Sequence, residues 1–526
     1  MTTMIEPVKA FTPSKYQQAI FEEVINGERH IQISAVAGSG KTTTLMELLK
    51  RLPFNKRQST LMCAFNREIR DTLAAKAPEE VVVKTIHGIG YGAIAAHFGR
   101  GKYNGKIEER KYEAIARQYW TTTHRPVESA PLEEEEFVGK VLHFVRVTLT
   151  DPNDPEAIRT MCQERDVELP ENGYALERLL AAIPILLQWG AFGLPMPDRD
   201  LRTYNAAESI DYDDMIWLPY YLGLRFKQYE VVLVDECQDL SAAQLQVVMN
   251  SLACNGRMIA VGDPRQAIYA FTGADAGAFQ RIGQEMRATL MPLSVCYRCP
   301  RRVIEEAQKL VPEIECADDA ADGVVETCEE RSFMQLVNPR DMVLCRTNAP
   351  LITTAFRLII AGKPAKVRGR DIGKNLMRTI DQIEKQPGYH FSAFVEGVEK
   401  WRGLQRHLAM GKANAEALIQ SADDRADCLL ALHEGALSMG ARSTGDLRAY
   451  AEDLFTDKKN GSILLSTVHK AKGLEADRVY ILRPELMPHP MSKTEAAKEQ
   501  ESNLRYVAIT RAMKELFWVV PNREEK

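Results

Sequence analysis

This sequence lacks an excess of charge of either sign. Its 526 residues contain 67 Lys and Arg against 72 Asp and Glu, which gives a formal net charge of −5. A protein that binds nucleic acid by charge alone needs a dense basic surface to neutralise phosphates, so that class is excluded. A localised nucleic-acid groove stays open. Hydrophobic residues make up 45% of the chain and charged residues 26%, a composition that excludes wholesale disorder.

The chain also lacks a disulfide framework and a secretion signal. Its ten cysteines are scattered, with one CxxC pair at Cys296 and Cys299, so we expect a reducing compartment. The N-terminal segment MTTMIEPVKAFTPSK has neither the basic start nor the apolar stretch of a signal peptide. We therefore expect a cytoplasmic protein, and nucleoid-associated and virus-encoded origins stay open.

One apolar stretch approaches the length of a membrane span. The segment Leu179–Pro197 is almost entirely apolar, but it contains Gln188 together with glycines and prolines. Backbone groups that such residues release from a helix find no hydrogen-bond partner in lipid. We therefore predict a buried helical hairpin within an inserted region, and no membrane association.

Short β-branched runs, bounded by turn residues and separated by helical segments, recur towards both ends of the chain. This pattern is typical of buried parallel strands in an α/β sheet. The first set of predicted strands is His30–Ala35, Thr60–Phe65, Val81–Thr85, Val231–Asp235 and Arg257–Asp263. The second set is Met342–Arg346, Ala365–Gly369, Ile463–Val468, Arg478–Leu482 and Leu516–Val520.

Two stretches, 91–205 and 372–455, interrupt the alternation and have a helical pattern. The sequence therefore predicts two α/β domains, each interrupted by a mainly helical insertion. The first domain is predicted over 1–90 and 206–290, with an insertion at 91–205. The second is predicted over 291–371 and 456–526, with a reduced insertion at 372–455.

A glycine-rich segment follows the first predicted strand and precedes the helix-forming run Thr43–Lys50. Its residues are Ala35, Val36, Ala37, Gly38, Ser39, Gly40, Lys41 and Thr42. In a P-loop, glycines let backbone N–H groups wrap a phosphate, and the helix N-terminus favours the anion. Lys41 is then expected to reach the β- and γ-phosphates of ATP, and the Thr42 hydroxyl to bind Mg²⁺. The alternative is an ordinary glycine-rich turn. Thr43 completes the predicted nucleotide site.

A second motif supplies what a P-loop requires. Four apolar residues, 231–234, are followed directly by Asp235 and Glu236. A buried strand that ends in carboxylates can hold a metal beside the phosphates. Asp235 is predicted to hold Mg²⁺ through water, and Glu236 to orient and deprotonate the attacking water. A solvated acidic strand end is the alternative.

Further segments, in the same order as in the family, make the sequence resemble a superfamily 1A helicase of the UvrD/Rep/PcrA group. They are Thr12–Gln17, Ala64–Arg67, Thr85–Gly88, Gly262–Ala274, Tyr297–Arg298, Thr467–Glu475 and Tyr506–Ala512. These segments resemble the family's adenine-reading segment, its first two DNA-contacting motifs and its motifs III to VI. The resemblance implies two RecA-like P-loop domains with parallel sheets and with ATP in the cleft between them.

The resemblance also implies the rest of the ATP site. The residues implied around the nucleoside are Gln17 for adenine, Tyr297 for a stack on adenine and Glu475 for ribose. Gln266 is expected to sense the γ-phosphate. Arg298 and Arg511 are expected to act as arginine fingers from the second domain, because guanidinium geometry suits phosphate oxygens.

For nucleic acid, the resemblance implies a track for single-stranded DNA. Aromatic faces for base stacking are expected from Phe65, His87, Tyr269 and Phe271. Such stacking contributes about 1–3 kcal/mol per base and tolerates any sequence. The other implied DNA-contacting residues are Asn66, Thr85, Thr467 and His469. Core burial of Phe65 and Tyr269 is the alternative. Phe271 stands where the family usually has Trp, which weakens the expected stack.

Together these features predict an ATP-dependent DNA helicase that uses ATP and Mg²⁺ and moves 3′ to 5′ on single-stranded DNA. It is expected to unwind duplex from a 3′ tail, since the segment 472–475 (KGLE) resembles the 3′-to-5′ branch. The reduced second insertion keeps a rival open. This is a DNA-stimulated ATPase that acts as sensor or loader for a partner nuclease, or for a repair or replication complex. A P-loop signalling switch leaves the DNA motifs unexplained.

Two further features have ordinary alternatives. The basic cluster between Lys363 and Arg378 is either a track for a nucleic-acid backbone or a solvated edge. A metal site at Cys296 and Cys299 needs two more thiolates to converge with them. Because the CxxC encloses two residues with expected nucleotide roles, we expect no metal there.

Overall fold

The protein is described here by a computed structural model with all side chains. It describes residues 11–99, 107–123, 132–165, 167, 173–193, 209–268, 277–410, 415–456, 461–489, 492 and 495–522. Within these residues the chain forms two large parallel sheets, each flanked by helices, and a third, two-stranded parallel sheet. The predicted α/β class is confirmed.

The first half of the chain begins and ends with strands of one sheet and is helical in between. It opens with α1 (Lys15–Asn26), β1 (Ile31–Ala35), α2 (Lys41–Arg51), α3 (Phe54–Gln58), β2 (Thr60–Ala64), α4 (Arg67–Ala74), β3 (Val82–Thr85) and α5 (Ile86–Phe98). The helical stretch continues with α6 (Lys111–Thr123), α7 (Leu132–Thr148), α8 (Pro155–Glu164), α9 (Gly173–Phe192) and α10 (Asp214–Tyr221). It closes with β4 (Tyr229–Val234), α11 (Ala242–Asn250), β5 (Leu252–Gly262), α12 (Ala278–Glu285) and β6 (Thr289–Leu293).

The second half repeats this plan. It opens with β7 (Val295–Cys296), α13 (Arg301–Gln308), β8 (Glu315–Cys316), β9 (Val324–Glu329), α14 (Glu330–Leu336), β10 (Met342–Cys345), α15 (Ala349–Ile360) and β11 (Ala365–Arg368). Its helical stretch is α16 (Arg370–Glu384), α17 (Phe394–Ala409), α18 (Ala415–Ser438) and α19 (Thr444–Leu454). It closes with β12 (Phe455–Thr456), β13 (Ile463–Thr467), β14 (Ala476–Leu482), α20 (Glu495–Ile509) and β15 (Ala512–Val520).

The first sheet has the strand order β3-β2-β4-β5-β1-β6, and every pair in it is parallel. Parallel strands end at the same edge, so β4, β5 and β1 bring three loops together there. Those loops carry the acidic pair, the segment after Gly262 and the glycine-rich loop. The order of the strands, more than their sequence distance, therefore builds the site.

The second sheet has the order β12-β11-β13-β10-β14-β15-β9 and is also parallel throughout. All ten strands predicted from the sequence are present in the two sheets. The strands that prediction missed include β6 and β9, which lie at sheet edges and consist largely of half-buried and exposed residues. Edge strands carry polar residues and even proline, here Pro292, so they lack the continuous apolar run of a central strand.

Alternation along the strands of the first sheet separates two hydrophobic cores. Leu61 and Cys63 face the core that the sheet shares with the inserted helices α5 to α10. Met62 and Ala64 face the opposite core, built with α1 and α2. Because successive side chains of a strand point to opposite faces, one buried strand serves both cores. The insertion is thus anchored on one face of the nucleotide-site sheet.

The helical hairpin predicted for the apolar stretch is wrong over its described part. Helix α9 runs unbroken through Pro184, and Leu180, Ile183 and Leu187 bury against neighbouring helices. Tertiary burial of this face outweighs the cost of about 3 kcal/mol for a proline inside a helix. Residues 194–197 lie outside the described part. Among the described residues, none of the helices combines the length and apolar character that a membrane crossing requires.

A buried set of charges, here called the insertion cluster, ties these helices together. It consists of Lys111, Arg146, Asp211 and Asp214. The Lys111 ammonium lies 2.6 Å from Asp214 Oδ2, and the Arg146 guanidinium lies 2.7 Å from Asp211 Oδ1 and 3.1 Å from Asp214 Oδ1. The Arg146 guanidinium also lies 3.9 Å from the centroid of the Tyr112 ring. Each charge in the insertion cluster thus has a partner.

Candidate functional site

The glycine-rich loop leaves β1 and enters α2 in a wrapped conformation. Gly38 and Gly40 have φ angles of +69° and +77°, in the left-handed region that glycine adopts without strain. A Cβ on Gly38 would lie 2.7 Å from the Arg298 Cβ and 2.9 Å from the Cys296 Sγ. Glycine is therefore required there twice, for the turn and for the close approach of a segment that follows the first sheet.

This loop presents one hydroxyl without a protein partner, together with the N-terminus of a helix. Helix α2 begins at Lys41 without a side-chain cap, so its first N–H groups point into the loop. The Ser39 hydroxyl is buried and finds no hydrogen-bond partner among the described residues. An orphaned hydroxyl, a row of amides and a helix N-terminus suit an anion, and a phosphate group fits this loop.

The acidic end of β4 lies directly opposite. Lys41 Nζ lies 2.7 Å from Glu236 Oε1, and the backbone N–H of Glu236 donates to Asp235 Oδ1 at 2.9 Å. Burial opposes the charge of Lys41, but the carboxylates of Glu236, Asp235 and Asp263 outweigh it and raise the Lys41 pKa. Burial also opposes charge on Glu236, but Lys41 and Lys472 prevail and lower its pKa, so this carboxylate is ionised at neutral pH.

Asp235 and Thr42 are the residues present for a magnesium ion. Carboxylate and hydroxyl oxygens are the ligands that Mg²⁺ prefers, usually one or two of them together with substrate phosphates and water. Among the described residues, no group of three or more His, Cys, Asp or Glu side chains could hold a metal without other ligands. The donor set therefore fits a magnesium ion that is shared with a nucleotide.

A chain of side-chain amides connects the carboxylates. Gln238 Nε2 donates to Glu236 Oε2 at 2.7 Å, and Gln238 Oε1 accepts from the backbone N–H of Asp263 at 3.1 Å. Gln266 Nε2 donates to Asp263 Oδ2 at 2.6 Å. Gln266 thus lies beside the acidic pair, where the sequence placed it. Gln238 was missed, although its position two residues after Glu236 is a usable signal.

Two residues of the second half close on this site and were also missed. Lys472 Nζ donates to Asp239 Oδ2 at 2.5 Å and to the Gln266 carbonyl at 2.7 Å. The backbone N–H of Ala37 donates to the Tyr506 hydroxyl at 2.8 Å. Both side chains are buried. Both residues lie within segments that resemble motifs of the family. The sequence therefore identified the segments, but it did not predict these two contacts.

The residues predicted around the nucleoside converge over the same loop. A Cβ on Gly40 would lie 3.9 Å from Gln17 Nε2 and 4.0 Å from the Tyr297 ring. Gln17 Nε2 donates to Thr44 Oγ1 at 2.9 Å, and Tyr297 is half exposed. Tyr297 therefore offers an exposed ring face beside the P-loop. The side-chain amide of Gln17 lies next to the same loop and can exchange Thr44 for another hydrogen-bond partner.

Arg298 and Arg511 come together beside Gly38. Arg298 Nε lies 2.8 Å from Glu475 Oε2, so the predicted ribose contact is at present an ion pair. The Arg511 guanidinium is buried and donates to the carbonyls of Val507 and Leu474 at 2.9 and 3.0 Å. Burial and the neighbouring Arg298 lower the Arg511 pKa to about 10. Two guanidinium groups held this close favour an anion near them.

The residues predicted to bind DNA lie at strand ends. Ala64 pairs with Thr85 in register, so Phe65, Asn66 and His87 follow neighbouring strand ends of the first sheet. Asn66 caps α4 and Thr85 caps α5, accepting from backbone N–H groups at 2.8 and 3.1 Å. These caps hold the turns that expose the Phe65 and His87 rings, which are half-buried.

The remaining predicted DNA contacts lie in two other places. Thr467 ends β13 of the second sheet, and His469 lies in the short turn that follows. Burial, with a smaller effect of Arg346, lowers the His469 pKa to about 4, so this ring is neutral. Tyr269 and Phe271 lie outside the described residues.

Part of the basic cluster that begins at Lys363 is used within the protein. Lys363 Nζ donates to the carbonyls of Met334 and Val337 at 2.8 and 2.7 Å, where it caps the end of α14. Lys366 lies 2.7 Å from Asp453. These two lysines are engaged with groups of the protein, which favours the solvated-edge alternative for this part of the cluster.

The sequence matches two known protein domain families. The model of the UvrD/REP helicase N-terminal domain matches residues 16–287, and that of the UvrD-like helicase C-terminal domain matches residues 441–522. The chain therefore belongs to the UvrD/REP helicase family.

Three relatives illustrate the likeness. The F-box DNA helicase protein 1 of Schizosaccharomyces pombe is 24% identical over 95% of this chain and 56% of its own length. The F-box DNA helicase 1 of Gallus gallus is 23% identical over 95% of this chain and 48% of its own length. The ATP-dependent DNA helicase PcrA of Leuconostoc citreum is 23% identical over 94% of this chain and 80% of its own length. The chain thus spans about half of the two F-box relatives.

Proposed function

We propose that this member of the UvrD/REP helicase family is an ATP-dependent DNA helicase that moves 3′ to 5′ on single-stranded DNA. The observation that carries the proposal is the meeting of both halves of the chain at the P-loop. Lys41 and Glu236 belong to the first half. From the second half, Tyr506 contacts Ala37, Lys472 contacts Asp239, and Arg298 lies against Gly38. A site assembled in this way senses the closure of a cleft.

ATP hydrolysis follows from the chemistry of these side chains. The P-loop amides, Ser39 and Lys41 bind the phosphates, and Gln17 with Tyr297 holds the adenine. Thr42 and Asp235 would hold a Mg²⁺ ion, which would neutralise phosphate charge. Once Lys41 turns to the phosphates, Glu236 loses its nearest cation, so its proton affinity rises towards that of a useful base.

The second half supplies the remaining groups. Arg298 leaves Glu475 for the transferring phosphoryl group, Arg511 supports it, and Gln266 senses the γ-phosphate. Glu475, once released from Arg298, accepts from the ribose. Because these groups face the P-loop across the contact between the halves, hydrolysis requires a closed cleft. Opening and closing then alternate the grip of the two sheets on DNA.

The proposed DNA track runs over the strand ends that carry Phe65, Asn66, Thr85 and His87, and on to Thr467 and His469. Tyr269 and Phe271 belong to the same proposal. We also propose the domain division stated from the sequence, at 1–90 with 206–290 and at 291–371 with 456–526. The insertions then occupy 91–205 and 372–455.

Two measurements test the proposal. Steady-state ATPase is measured with and without single-stranded DNA, and stimulation is expected. Strand displacement is then measured on duplexes that carry either a 3′ or a 5′ single-stranded tail. Unwinding of the 3′-tailed duplex supports the direction that the segment 472–475 predicts. Efficient unwinding of the 5′-tailed duplex alone refutes it.

A second candidate function has one observation in its favour. Between β11 and β12 the described residues hold four helices, α16 to α19, in the insertion that the sequence predicts to be reduced. This favours a DNA-stimulated ATPase that acts as sensor or loader for a partner nuclease, repair or replication protein in the cytoplasm. DNA-stimulated ATPase without strand displacement from either tail selects this function over unwinding.

A further inference from the structure

A groove lies beside the proposed DNA track, on the exposed face of α5. We call it the α5 groove; its volume is about 530 Å³ and its lining includes Lys84, Gly88, Tyr91, Gly92, Arg225 and Lys227. Lys84 precedes the α5 cap Thr85, and Gly88 donates its backbone N–H to that cap at 3.1 Å. Two residues that line the groove, Lys84 and Gly88, are thus the sequence neighbours of Thr85 and His87, which belong to the proposed track.

The rim of the α5 groove is basic and unpaired. Lys84, Arg225 and Lys227 are exposed, and none of them forms an ion pair with any other described residue. Elsewhere on this chain, exposed cations commonly sit within 4 Å of a carboxylate, as Lys56 does with Glu230. Three unpaired cations around one concavity form a local positive surface on a protein whose net charge is −5.

The floor of the groove is shallow and close to the backbone. Gly88 and Gly92, with three alanines of α5, line the groove. A Cβ placed on Gly92 would meet no atom within 4 Å, so the space above this residue is open. Tyr91, which is half-buried, adds aromatic surface, while the Tyr229 ring is buried and lies 5.1 Å from Lys227 Nζ, measured to the ring centroid.

We propose that the α5 groove binds the phosphate backbone of the single-stranded nucleic acid where the strand leaves the Thr85 and His87 end of the track. The inference rests on the proposed DNA function and extends its binding site. Cations that follow a backbone beside aromatic rings are the usual means of binding single strands without sequence preference. An acidic segment of a partner protein is the competing occupant and is an outcome of the test.

The test compares oligothymidylates of about 8 and about 20 nucleotides, because only the longer one can fill both the track and the groove. Binding is measured by fluorescence anisotropy over a range of salt concentrations for the wild type and for a triple variant, Lys84→Ala, Arg225→Ala and Lys227→Ala. The longer oligonucleotide should bind the variant on the order of 10-fold more weakly. The slope of log K against log salt should become shallower by about 2, at about 0.7 for each of three lost phosphate contacts.

A matched control removes the same number of charges elsewhere. The variant Lys76→Ala, Arg302→Ala and Lys385→Ala changes three exposed cations outside the groove. It should keep the wild-type slope for both oligonucleotides. If this control loses as much affinity as the groove variant, the effect is one of net charge, and the proposed site is refuted.

A steric variant tests the groove without changing charge. Gly92→Leu introduces a side chain into open space on a helix, where leucine is favoured over glycine, so folding should be preserved. This substitution should weaken binding of the longer oligonucleotide several-fold and leave binding of the shorter one unchanged. Wild-type affinity in both Gly92→Leu and the triple variant overturns the inference, and so does binding of polyglutamate at the groove in preference to the oligonucleotide.

Failure of the proposed function and failure of the inference about the α5 groove give different results. If wild-type protein neither binds the shorter oligonucleotide nor shows DNA-stimulated ATPase, the proposed function fails and this inference falls with it. If both are present and the groove variants match the wild type on the longer oligonucleotide, the inference alone is refuted.

Discussion

The insertion cluster and the set of charges at the P-loop are both buried, but they differ in how completely they are paired. In the insertion cluster, the Arg146 and Lys111 side chains are 3% and 1% exposed, and each contacts one or more carboxylates. At the P-loop, Lys41 and Glu236 are 13% and 24% exposed. There, Ser39 Oγ and Asp239 Oδ1 are buried without partners among the described residues.

This difference separates a cluster that holds helices together from one that can exchange partners. A fully paired buried cluster is expensive to break, because removal of one member leaves another charge buried alone. A cluster with orphaned atoms and partial exposure can accept a ligand, since the ligand satisfies groups that the protein leaves unpaired. We therefore expect mutations at the P-loop to change turnover, and mutations in the insertion cluster to change stability.

The largest expected effect comes from Arg298→Ala. If this guanidinium stabilises the transferring phosphoryl group, its loss should lower kcat by about 10³-fold or more. Arg298→Lys should rescue poorly, because an ammonium cannot reproduce the bidentate fork. Turnover and binding of a fluorescent ATP analogue are measured on the same preparations. Turnover close to wild type in both Arg298→Ala and Arg511→Ala contradicts the closed-cleft arrangement.

Glu236→Gln should have the next largest effect on turnover. Removal of a general base typically costs about 10²–10⁴-fold in rate, while the amide keeps the size of the side chain. Because Glu236 is a partner of Lys41, nucleotide binding should persist or improve once that ion pair is gone. Isothermal titration with ATP checks binding, and phosphate release checks turnover. Substantial ATPase in this variant places the base elsewhere.

Arg146→Ala tests the other side of the comparison. Loss of one partner from a buried ion cluster costs about 3–5 kcal/mol, here because Asp211 loses its nearest cation and Asp214 keeps only Lys111. Urea unfolding followed by circular dichroism should show this loss. The ATPase rate per folded molecule without DNA should stay near wild type. A large fall in that rate at unchanged stability reverses the distinction drawn between the two clusters.

Tyr506→Phe should have a smaller effect that depends on the contact between the two halves. The variant keeps the ring but removes the hydroxyl that accepts from the Ala37 N–H at 2.8 Å. One such hydrogen bond contributes about 0.5–1.5 kcal/mol, so about a 2-fold to 10-fold change in KM for ATP is expected. The free energy of unfolding should change by less than the free energy that corresponds to this change in KM. Tyr506→Leu serves as the comparison that also removes packing.

The smallest expected effect is a pH dependence at the P-loop. Burial raises the Asp263 pKa to about 6, against the pull of Lys41, so the folded state holds this proton more tightly than the unfolded state. A carboxyl with a raised pKa makes folding more favourable as pH falls through that value. From pH 7 to pH 5, wild type should gain about 1 kcal/mol in free energy of unfolding relative to Asp263→Asn. Equal slopes in the two proteins contradict the raised pKa.

Local patterns predicted much of the scaffold. Ten strands were predictable because continuous apolar runs bounded by turn residues have few alternatives in a protein of this composition. The glycine-rich loop and the acidic strand end were predictable for the same reason, since each is a contiguous segment with its own chemistry. Edge strand β6 was not, because two of its five residues are exposed and two more are half-buried.

Other features depended on long-range packing. Helix α9 continues through Pro184 because burial of its apolar face outweighs a local preference to stop. Asn66 and Thr85, predicted as DNA contacts, are also helix caps, and whether a side chain caps a helix depends on where that helix begins.

The sequence by itself determined the class of fold, the order of its motifs and the residues expected at the phosphates, because each of these is encoded in short contiguous segments. Only the tertiary structure decided which partners those residues have. Ala37 and Tyr506 lie 469 positions apart, and Lys472 lies 233 positions after Asp239. Contacts at such separations follow from how two sheets pack against each other, which no local pattern specifies. The α5 groove has the same origin, since α5 and the segment before β4 meet only in the fold.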